Sequence, residues 1–264
     1  MLRQRVVTTI VLLPVLIATI WFGELWFVLV VSAIGAIGTF EFYRLDTNGK
    51  LKPLYYLGIL IVISLFLLPY FFNGVSAVHV LSIGIIISLL GLLLVRHRDH
   101  AFNQWAWAMA GILYPGFLIT YWVKLRNMEL GREYVFWLIS ILIINDVAAY
   151  FVGRALGKHA LSPQISPHKT WEGAVGGLLA GIIISIAFYF TFLLPLSLWQ
   201  IIVIGLLMCI LAQAGDLIES LLKRNKAVKD SGKILPGHGG FLDRMDSYVL
   251  TAAAAYYIIS LISH

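Results

Sequence analysis

Long apolar segments alternate with short polar ones along most of the 264-residue chain. The apolar segments are about 17 to 25 residues long, the length of helix that crosses a hydrocarbon core roughly 30 Å thick. Only helices and closed barrels satisfy the backbone in lipid, and segments such as 59–68 lack the period-two alternation of a barrel strand. The pattern predicts an all-α, polytopic transmembrane protein. Its nine predicted spans are 6–22, 25–43, 54–72, 78–95, 103–123, 134–152, 174–194, 198–222 and 247–262.

The composition favours a membrane protein over a soluble domain. Hydrophobic residues make up 60% of the chain and charged residues 12%, whereas soluble domains carry about 25% charged residues. The net charge of +6 indicates membrane topology rather than a nucleic-acid partner, because Lys and Arg collect in cytoplasmic loops. The single cysteine, Cys209, excludes an intrachain disulfide and a cysteine-based zinc cluster.

The basic residues orient the predicted spans. With a cytoplasmic N-terminus, 16 of the 19 Lys and Arg residues fall on the cytoplasmic side and only Lys124, Arg126 and Arg132 fall outside. This bias predicts that the N-terminus is cytoplasmic and the C-terminus is outside. The two long inside loops, 153–173 and 223–246, hold most of the polar side chains, so we expect the chemistry to face the cytoplasm.

The chain contains no internal repeat and no separate soluble segment, so we expect one membrane domain over residues 1–264. Within it, we expect residues 1–133 to form scaffold spans that contact lipid or a dimer partner. We expect residues 134–264 to form the catalytic spans and their cytoplasmic loops.

Charged residues within spans are costly and usually functional, and three acidic residues stand out: Asp146, Asp216 and Glu219. Five residues of the eighth span follow at i, i+3, i+4, i+7 and i+8 and share one helical face. They are Asp216, Glu219, Ser220, Lys223 and Arg224. This spacing predicts a polar stripe that reaches the cytoplasmic rim. An alternative is that the two carboxylates only pair with Lys223 and Arg224.

A second acidic group, Asp243 and Asp246 with Ser247, opens the ninth predicted span at the same spacing. If the eighth and ninth spans form a hairpin, the two groups face each other at one depth. Hard cations such as Mg²⁺ prefer oxygen ligands, usually one or two carboxylates plus substrate phosphates. We therefore expect a metal site where the groups meet.

The loop between these spans contains a glycine-rich turn among basic residues. The turn comprises Gly237, His238, Gly239 and Gly240. Glycines let backbone N–H groups approach an anion closely, and the nearby basic side chains would neutralise its charge. No Walker motif is present, so the pattern favours phosphate binding of another kind.

The other inside loop has polar residues at both ends. Asp146 and Tyr150 lie one turn apart on a face that leads to Arg154, and Lys169 lies near the other end. Contact with lipid headgroups is the alternative role for Arg154 and Lys169. Three glycines at four-residue spacing then predict close helix packing in lipid. They are Gly173, Gly177 and Gly181.

The stretch 220–246, SLLKRNKAVKDSGKILPGHGGFLDRMD, resembles the signature of the phosphatidate cytidylyltransferases, also called CDP-diacylglycerol synthases. The segments 145–154 and 166–173 also resemble this family. Together these likenesses span about residues 140 to 250. The first five predicted spans resemble the family only as membrane helices.

The resemblance implies transfer of CMP from CTP to phosphatidate, with release of diphosphate and formation of CDP-diacylglycerol. It implies a Mg²⁺-dependent homodimer in which Asp216 and Asp243 bind metal, with room for a second cation. The candidate catalytic residues are Asp216, Asp243, Asp246, Lys223 and Arg224. The candidate substrate-binding residues are Ser220, Lys229, Gly237, His238, Gly239, Gly240, Arg244, Lys169, Arg154 and Asp146. We expect membrane lipids but no nucleic acid as partners, and a site at the cytoplasmic face of a bacterial inner membrane.

Other functions stay open as alternatives, among them a CTP-using lipid kinase. A CDP-alcohol phosphotransferase typically shows Asp-Gly-x-x-Ala-Arg and a later Gly-x-x-x-Asp-x-x-x-Asp, whereas Asp243 and Asp246 are three apart and the first element is absent. A lipid transporter would also place charges in spans. Transporters commonly have inverted repeats and broken helices, and the sequence predicts neither here.

Overall fold

The computed structural model describes residues 13–47, 51–94, 100–192, 194–232, 234 and 239–262. Within these ranges the chain is mostly helical and has one small sheet. The helices are α1 (Leu13–Phe22), α2 (Glu24–Arg44), α3 (Pro53–Phe71), α4 (Ala77–Gly91), α5 (Ala101–Gly111), α6 (Thr120–Arg126), α7 (Gly131–Leu156), α8 (Trp171–Phe192), α9 (Leu198–Asn225) and α10 (Leu242–Ile262). The strands β1 (Ala160–Ser162) and β2 (Ser166–Thr170) pair antiparallel.

Seven of the described helical segments are long and apolar enough to cross a membrane. They are Glu24–Arg44, Pro53–Phe71, Ala101–Arg126, Gly131–Leu156, Trp171–Phe192, Leu198–Asn225 and Leu242–Ile262. Two shorter apolar helices, α1 and α4, overlap the first and fourth predicted spans. The predicted all-α, polytopic membrane fold is confirmed. The count of nine crossings and the orientation of the termini stay predictions.

Helix α4 is shorter than the predicted span 78–95. It has 15 residues, which at about 1.5 Å per residue is roughly 22 Å of helix, and a 3₁₀ turn over Leu92–Leu94 follows it. Ser76 caps its start, and the Ser76 N–H donates to His79 Nδ1 at 3.1 Å. His79 therefore helps to begin this helix.

The fifth predicted span, 103–123, is interrupted in its middle. A π-helical turn over Ile112–Phe117 separates α5 from α6 and contains Pro115. Proline lacks an N–H, and its ring clashes with the carbonyl four residues earlier, so the regular bonding pattern fails there. The Leu118 N–H donates instead to the Leu113 carbonyl at 3.1 Å. The chain stays helical through this turn, and Ala101–Arg126 is still one segment long enough to cross a membrane.

One compact unit of the chain comprises Met1–Val123 and Asp230–Met245. Among its described residues, α2, α3 and α5 pack around the fully buried Tyr43. The Tyr43 hydroxyl donates to the Ala108 carbonyl at 2.7 Å, and its ring stacks on Tyr55 with centroids 4.5 Å apart. Gly58 and Gly111 make room for this ring, because a Cβ at either position would collide with it.

The second compact unit comprises Lys124–Lys229 and Asp246–His264, and α7, α8 and α9 pack against one another in it. A Cβ added to Gly173 or to Gly177 would lie 2.6 Å from an atom of α7. A Cβ on Gly181 would collide with the buried Cys209 of α9. The predicted packing role of these glycines is therefore confirmed. The functional division after residue 133 stays a prediction.

A β-hairpin occupies the loop 153–173, where the sequence predicted only a loop. Its register pairs Ala160 with Thr170 and Ser162 with Ser166, and α8 begins directly after β2. The hairpin therefore carries Lys169 on a strand, one residue before Thr170, rather than on an irregular loop.

Candidate active site

Three carboxylates converge in the second unit, Asp216 and Glu219 of α9 and Asp246 of α10. One oxygen of each lies within 4.8 Å of the others. Glu219 is fully buried and Asp246 is 7% exposed, whereas Asp216 is half-buried. Carboxylates this close and this buried must be neutralised, by a neighbouring cation or by a proton. We call these three residues the acidic cluster.

The backbones of α9 and α10 approach closely at the acidic cluster. On α9 the spacing i, i+3 puts Asp216 and Glu219 on one face. The residue before them is Gly215, and a Cβ there would lie 2.5 Å from the Asp246 carbonyl oxygen and 3.5 Å from Ser247 Cα. Only glycine permits this approach, so Gly215 is what lets Asp246 reach the two carboxylates of α9.

Two lysines pair with the acidic cluster. The Lys169 ammonium, carried by β2, lies 2.5 Å from Asp216 Oδ2. The Lys223 ammonium, one turn along α9, lies 3.1 Å from Glu219 Oε2. Glu219 therefore pairs with a lysine of its own helix, as the alternative expected, whereas the lysine that pairs with Asp216 comes from the hairpin.

A polar network extends from the acidic cluster into α7 and α8. Asp146 is close enough to Asp246 to interact with it electrostatically. The Asn145 amide donates to Asp146 Oδ1 at 3.1 Å, and Gln213 of α9 donates to Asn145 Oδ1 at 2.9 Å and to the Ala174 carbonyl at 3.1 Å. These bonds fix the facing sides of the three helices around the carboxylates.

Ser220 and Arg224, both predicted site residues on α9, have different surroundings. Ser220 Oγ donates to Asp216 Oδ1 at 3.5 Å, so Ser220 borders the acidic cluster. Arg224 donates to the carbonyl of Ile165, in the turn of the hairpin, at 3.3 Å, and to that of Val228 at 3.4 Å. Arg224 therefore joins the end of α9 to the hairpin that carries Lys169.

Arg154 and Lys229, also predicted site residues, are exposed. Arg154 donates to the Tyr150 hydroxyl at 3.2 Å, which keeps both side chains on the surface of α7. No bond between either of these two basic residues and the acidic cluster is found among the described residues. Their predicted roles in substrate binding stay predictions.

Glu172, in the first turn of α8, organises the hairpin. Its Oε2 accepts the N–H groups of Lys158 and His159 at 3.1 and 3.3 Å, and its Oε1 lies 2.6 Å from the His159 ring nitrogen Nδ1. Thr170 Oγ1 accepts the N–H of Gly173 at 3.1 Å. Thr170 and Glu172 therefore hold the hairpin in place. Lys169, in the same run 166–173, contacts the acidic cluster.

Asp243, the predicted second metal ligand, belongs to the first unit. Its carboxylate accepts the N–H of Ser231 at 3.1 Å and that of Gly240 at 2.9 Å. Gly239 has a φ of +84°, a left-handed conformation that glycine adopts at no cost. Arg244 is exposed. Gly237 and His238 lie outside the described residues, so the predicted phosphate turn is described only in part.

The family model described as "Cytidylyltransferase family" matches residues 3–262. The chain belongs to this family. A relative from Bacillus subtilis (strain 168), "Phosphatidate cytidylyltransferase", is 34% identical over 270 residues, covering 99% of each chain. One of the same name from Brucella suis biovar 1 (strain 1330) is 36% identical over 262 residues, covering 97% of this chain and 92% of its own. "Phosphatidate cytidylyltransferase 5, chloroplastic" from Arabidopsis thaliana is 33% identical over 266 residues, covering 89% and 66%.

Three residues were not among the site residues predicted from the sequence: Glu219 in the acidic cluster, Gly215 beside it, and Glu41, whose carboxylate accepts hydrogen bonds from Ser231 and from the Leu242 N–H. Glu219 was noted as a charge in a span, and its Asp-x-x-Glu spacing from Asp216 was the available signal. Glu41 lies inside the predicted span 25–43, so the rule for charges in spans should have included it. Gly215 gave no signal, because its role depends on which helix packs against α9.

Proposed function

We propose that this membrane enzyme transfers the cytidylyl group of CTP to phosphatidate. A phosphate oxygen of phosphatidate forms a bond to the α-phosphorus of CTP. The bond from that phosphorus to the bridging oxygen breaks, and diphosphate leaves. The observation that carries the proposal is the acidic cluster flanked by Lys169 and Lys223 in a chain of this family. CDP-diacylglycerol is the product that stays in the membrane.

The acidic cluster fits a hard divalent cation such as Mg²⁺. Its donors are carboxylate oxygens, the ligand type that Mg²⁺ prefers, and they lie within 4.8 Å of one another. We propose that Asp216, Glu219 and Asp246 hold such an ion. Asp243 keeps the role of metal ligand that the family resemblance implies. When bound, the ion would neutralise phosphate oxygens during the transfer.

The chain's own cations would bind and orient the anionic substrates. Phosphoryl chemistry of this kind depends mainly on positioning and charge neutralisation. Lys169 and Lys223 already lie at the carboxylates, so each can turn from a carboxylate oxygen to a substrate phosphate. Arg224 would help to position Lys169 by holding the hairpin. Ser220 would help to position Asp216 through its hydrogen bond to that carboxylate. We assign Lys229, Arg154, Arg244 and the turn 237–240 to further contacts with the triphosphate or the lipid phosphate.

We propose that the site faces the cytoplasm of a bacterial inner membrane. The support is the charge bias, since 16 of 19 Lys and Arg residues fall on one predicted side. Phosphatidate could then keep its acyl chains in the bilayer while its headgroup reaches the cytoplasmic ends of α9 and α10. A homodimer is proposed from the family resemblance alone.

The test uses purified protein in detergent with phosphatidate and CTP labelled at either the α- or the γ-phosphorus. We expect α-label to enter the lipid, one diphosphate to be released per labelled lipid, and both to require phosphatidate and Mg²⁺. Transfer of γ-label to lipid would establish a lipid kinase instead. Absence of lipid labelling with both substrates would refute the proposal.

A further inference from the structure

Glu41 is a buried carboxylate to which the proposed chemistry assigns no role. It lies in the last turn of α2, a helix of the first unit, and its side chain is fully buried. Burying a carboxylate is costly unless hydrogen bonds replace its water. The partners of Glu41 therefore indicate what this residue is for.

Those partners are two groups in and after the loop 226–241 between α9 and α10, which we call the signature loop. Glu41 Oε2 accepts the Ser231 hydroxyl at 3.1 Å and the backbone N–H of Leu242 at 2.8 Å. Leu242 is the first residue of α10, so Glu41 caps this helix from a different helix. Its other oxygen, Oε1, is buried and has no hydrogen-bond partner among the described residues. A Cβ on Gly232 would collide with that oxygen.

Ser231 connects Glu41 to Asp243. Its hydroxyl donates to Glu41, and its backbone N–H donates to the Asp243 carboxylate at 3.1 Å. The Gly240 N–H donates to the same carboxylate at 2.9 Å, and a Cβ on Gly240 would collide with Ser231 Oγ. The carboxylates of Glu41 and Asp243 thus hold together the two ends of the loop and the first turn of α10. Of these two residues, Glu41 comes from a different helix, α2.

We infer that Glu41 is a positioning residue that holds segments 230–232 and 239–243 together, so that Asp243 and the signature loop are set for the nucleotide. The inference rests on the proposed function, because the loop is assigned there to CTP. Glu41 does not touch the substrate; it acts through Ser231 and the N-terminus of α10. Its loss should therefore affect CTP more than the lipid.

The test compares Glu41→Ala, Glu41→Gln and a control, Thr39→Val. Thr39 is equally buried on α2 and donates to the Gly111 carbonyl at 3.3 Å, away from the loop. In Glu41→Ala we expect kcat/KM for CTP to fall about tenfold or more, the scale typical of residues that orient ligands, mainly through KM. The KM for phosphatidate should change less than about threefold. Glu41→Gln keeps an oxygen that can accept both bonds, so it should stay within about threefold of the unsubstituted protein.

Hydrogen exchange provides a readout that does not need activity. In Glu41→Ala the peptide covering 230–242 should exchange faster, while peptides of α7 and α8 stay unchanged. Equal CTP kinetics in Glu41→Ala and the unsubstituted protein would overturn the inference, as would equal losses in Thr39→Val. If the unsubstituted protein transfers no label at all, the proposed function fails. The positioning role is tested separately by hydrogen exchange, and equal exchange of the loop in Glu41→Ala and the unsubstituted protein would overturn it.

Discussion

Replacing Gly215 with alanine tests whether the close approach of α9 and α10 builds the acidic cluster. The added Cβ would lie 2.5 Å from the Asp246 carbonyl oxygen. Ordinary contact begins near 3.4 Å, so the two backbones must separate by about 0.9 Å. Both sides of the clash are backbone, and no side chain can rotate away. Asp246 would therefore move away from Asp216 and Glu219 by nearly 1 Å.

A misplacement of about 1 Å can cost roughly 100-fold in rate, and we expect a loss of that order in kcat/KM for cytidylyl transfer. The stability of the folded protein should fall much less than its transfer activity. Overpacking costs about 1 to 3 kcal/mol, and alanine returns about 1 kcal/mol through its higher helix propensity. The predicted signature is thus a protein that still purifies with near-normal helix content but transfers poorly.

The assay is initial-rate transfer from labelled CTP, with helix content followed by circular dichroism. Gly91→Ala is the matched control, because among the described residues a Cβ there meets only Leu54 Cδ1, at 3.5 Å, and the more distant Leu57. We expect that control to keep its activity. Gly215→Ala with full activity would refute the reasoning, since it would show that the proximity of α10 to α9 does not matter for the reaction.

Two further substitutions test the side chains around the acidic cluster. Lys223→Met removes the cation from the fully buried Glu219, so it should lower the free energy of unfolding by about 3 kcal/mol, measured as a lower thermal midpoint in detergent. Adding Glu219→Gln to this variant should recover most of the lost stability. A double variant as unstable as Lys223→Met would contradict the pairing. Glu172→Gln weakens the bonds to Lys158 and His159 and should speed proteolysis within 158–170 and lower transfer several-fold. Unchanged cleavage would show that Glu172 does not hold the hairpin.

Most of the fold could be predicted because lipid imposes one simple rule on apolar sequence. Segments long enough to cross the bilayer must be helical, and the described helices fall where those segments are. The interruption at Pro115 was missed because proline in a membrane helix can bend it or leave it regular, depending on which neighbours compensate. The β-hairpin was missed because strands of three and five residues show too little periodicity to be recognised.

The site could be predicted where its residues share one helix, and a hairpin of two adjacent helices then suggested that their acidic groups meet. The i, i+3 spacing pointed to Asp216, Glu219 and Asp246 as members of two acidic groups, and the structure brings these three together. The pairing of Lys169 with Asp216 depends on the hairpin, and the bond from Leu242 to Glu41 joins residues 201 apart in sequence. Such contacts follow from tertiary packing, which one sequence does not display.

The central claim is that the acidic cluster of α9 and α10 binds the divalent cation used in transfer. The most direct measurement is Mn²⁺ binding to the purified protein, followed by electron paramagnetic resonance, in the unsubstituted chain, Asp216→Asn, Asp246→Asn and the control Glu133→Gln. Glu133 pairs with Arg132 in the first turn of α7, far along that helix from Asp146. We predict that Mg²⁺ displaces the bound Mn²⁺ and that both Asn variants weaken its binding at least about tenfold, while the control does not. Equal Mn²⁺ binding in all four proteins would contradict the account.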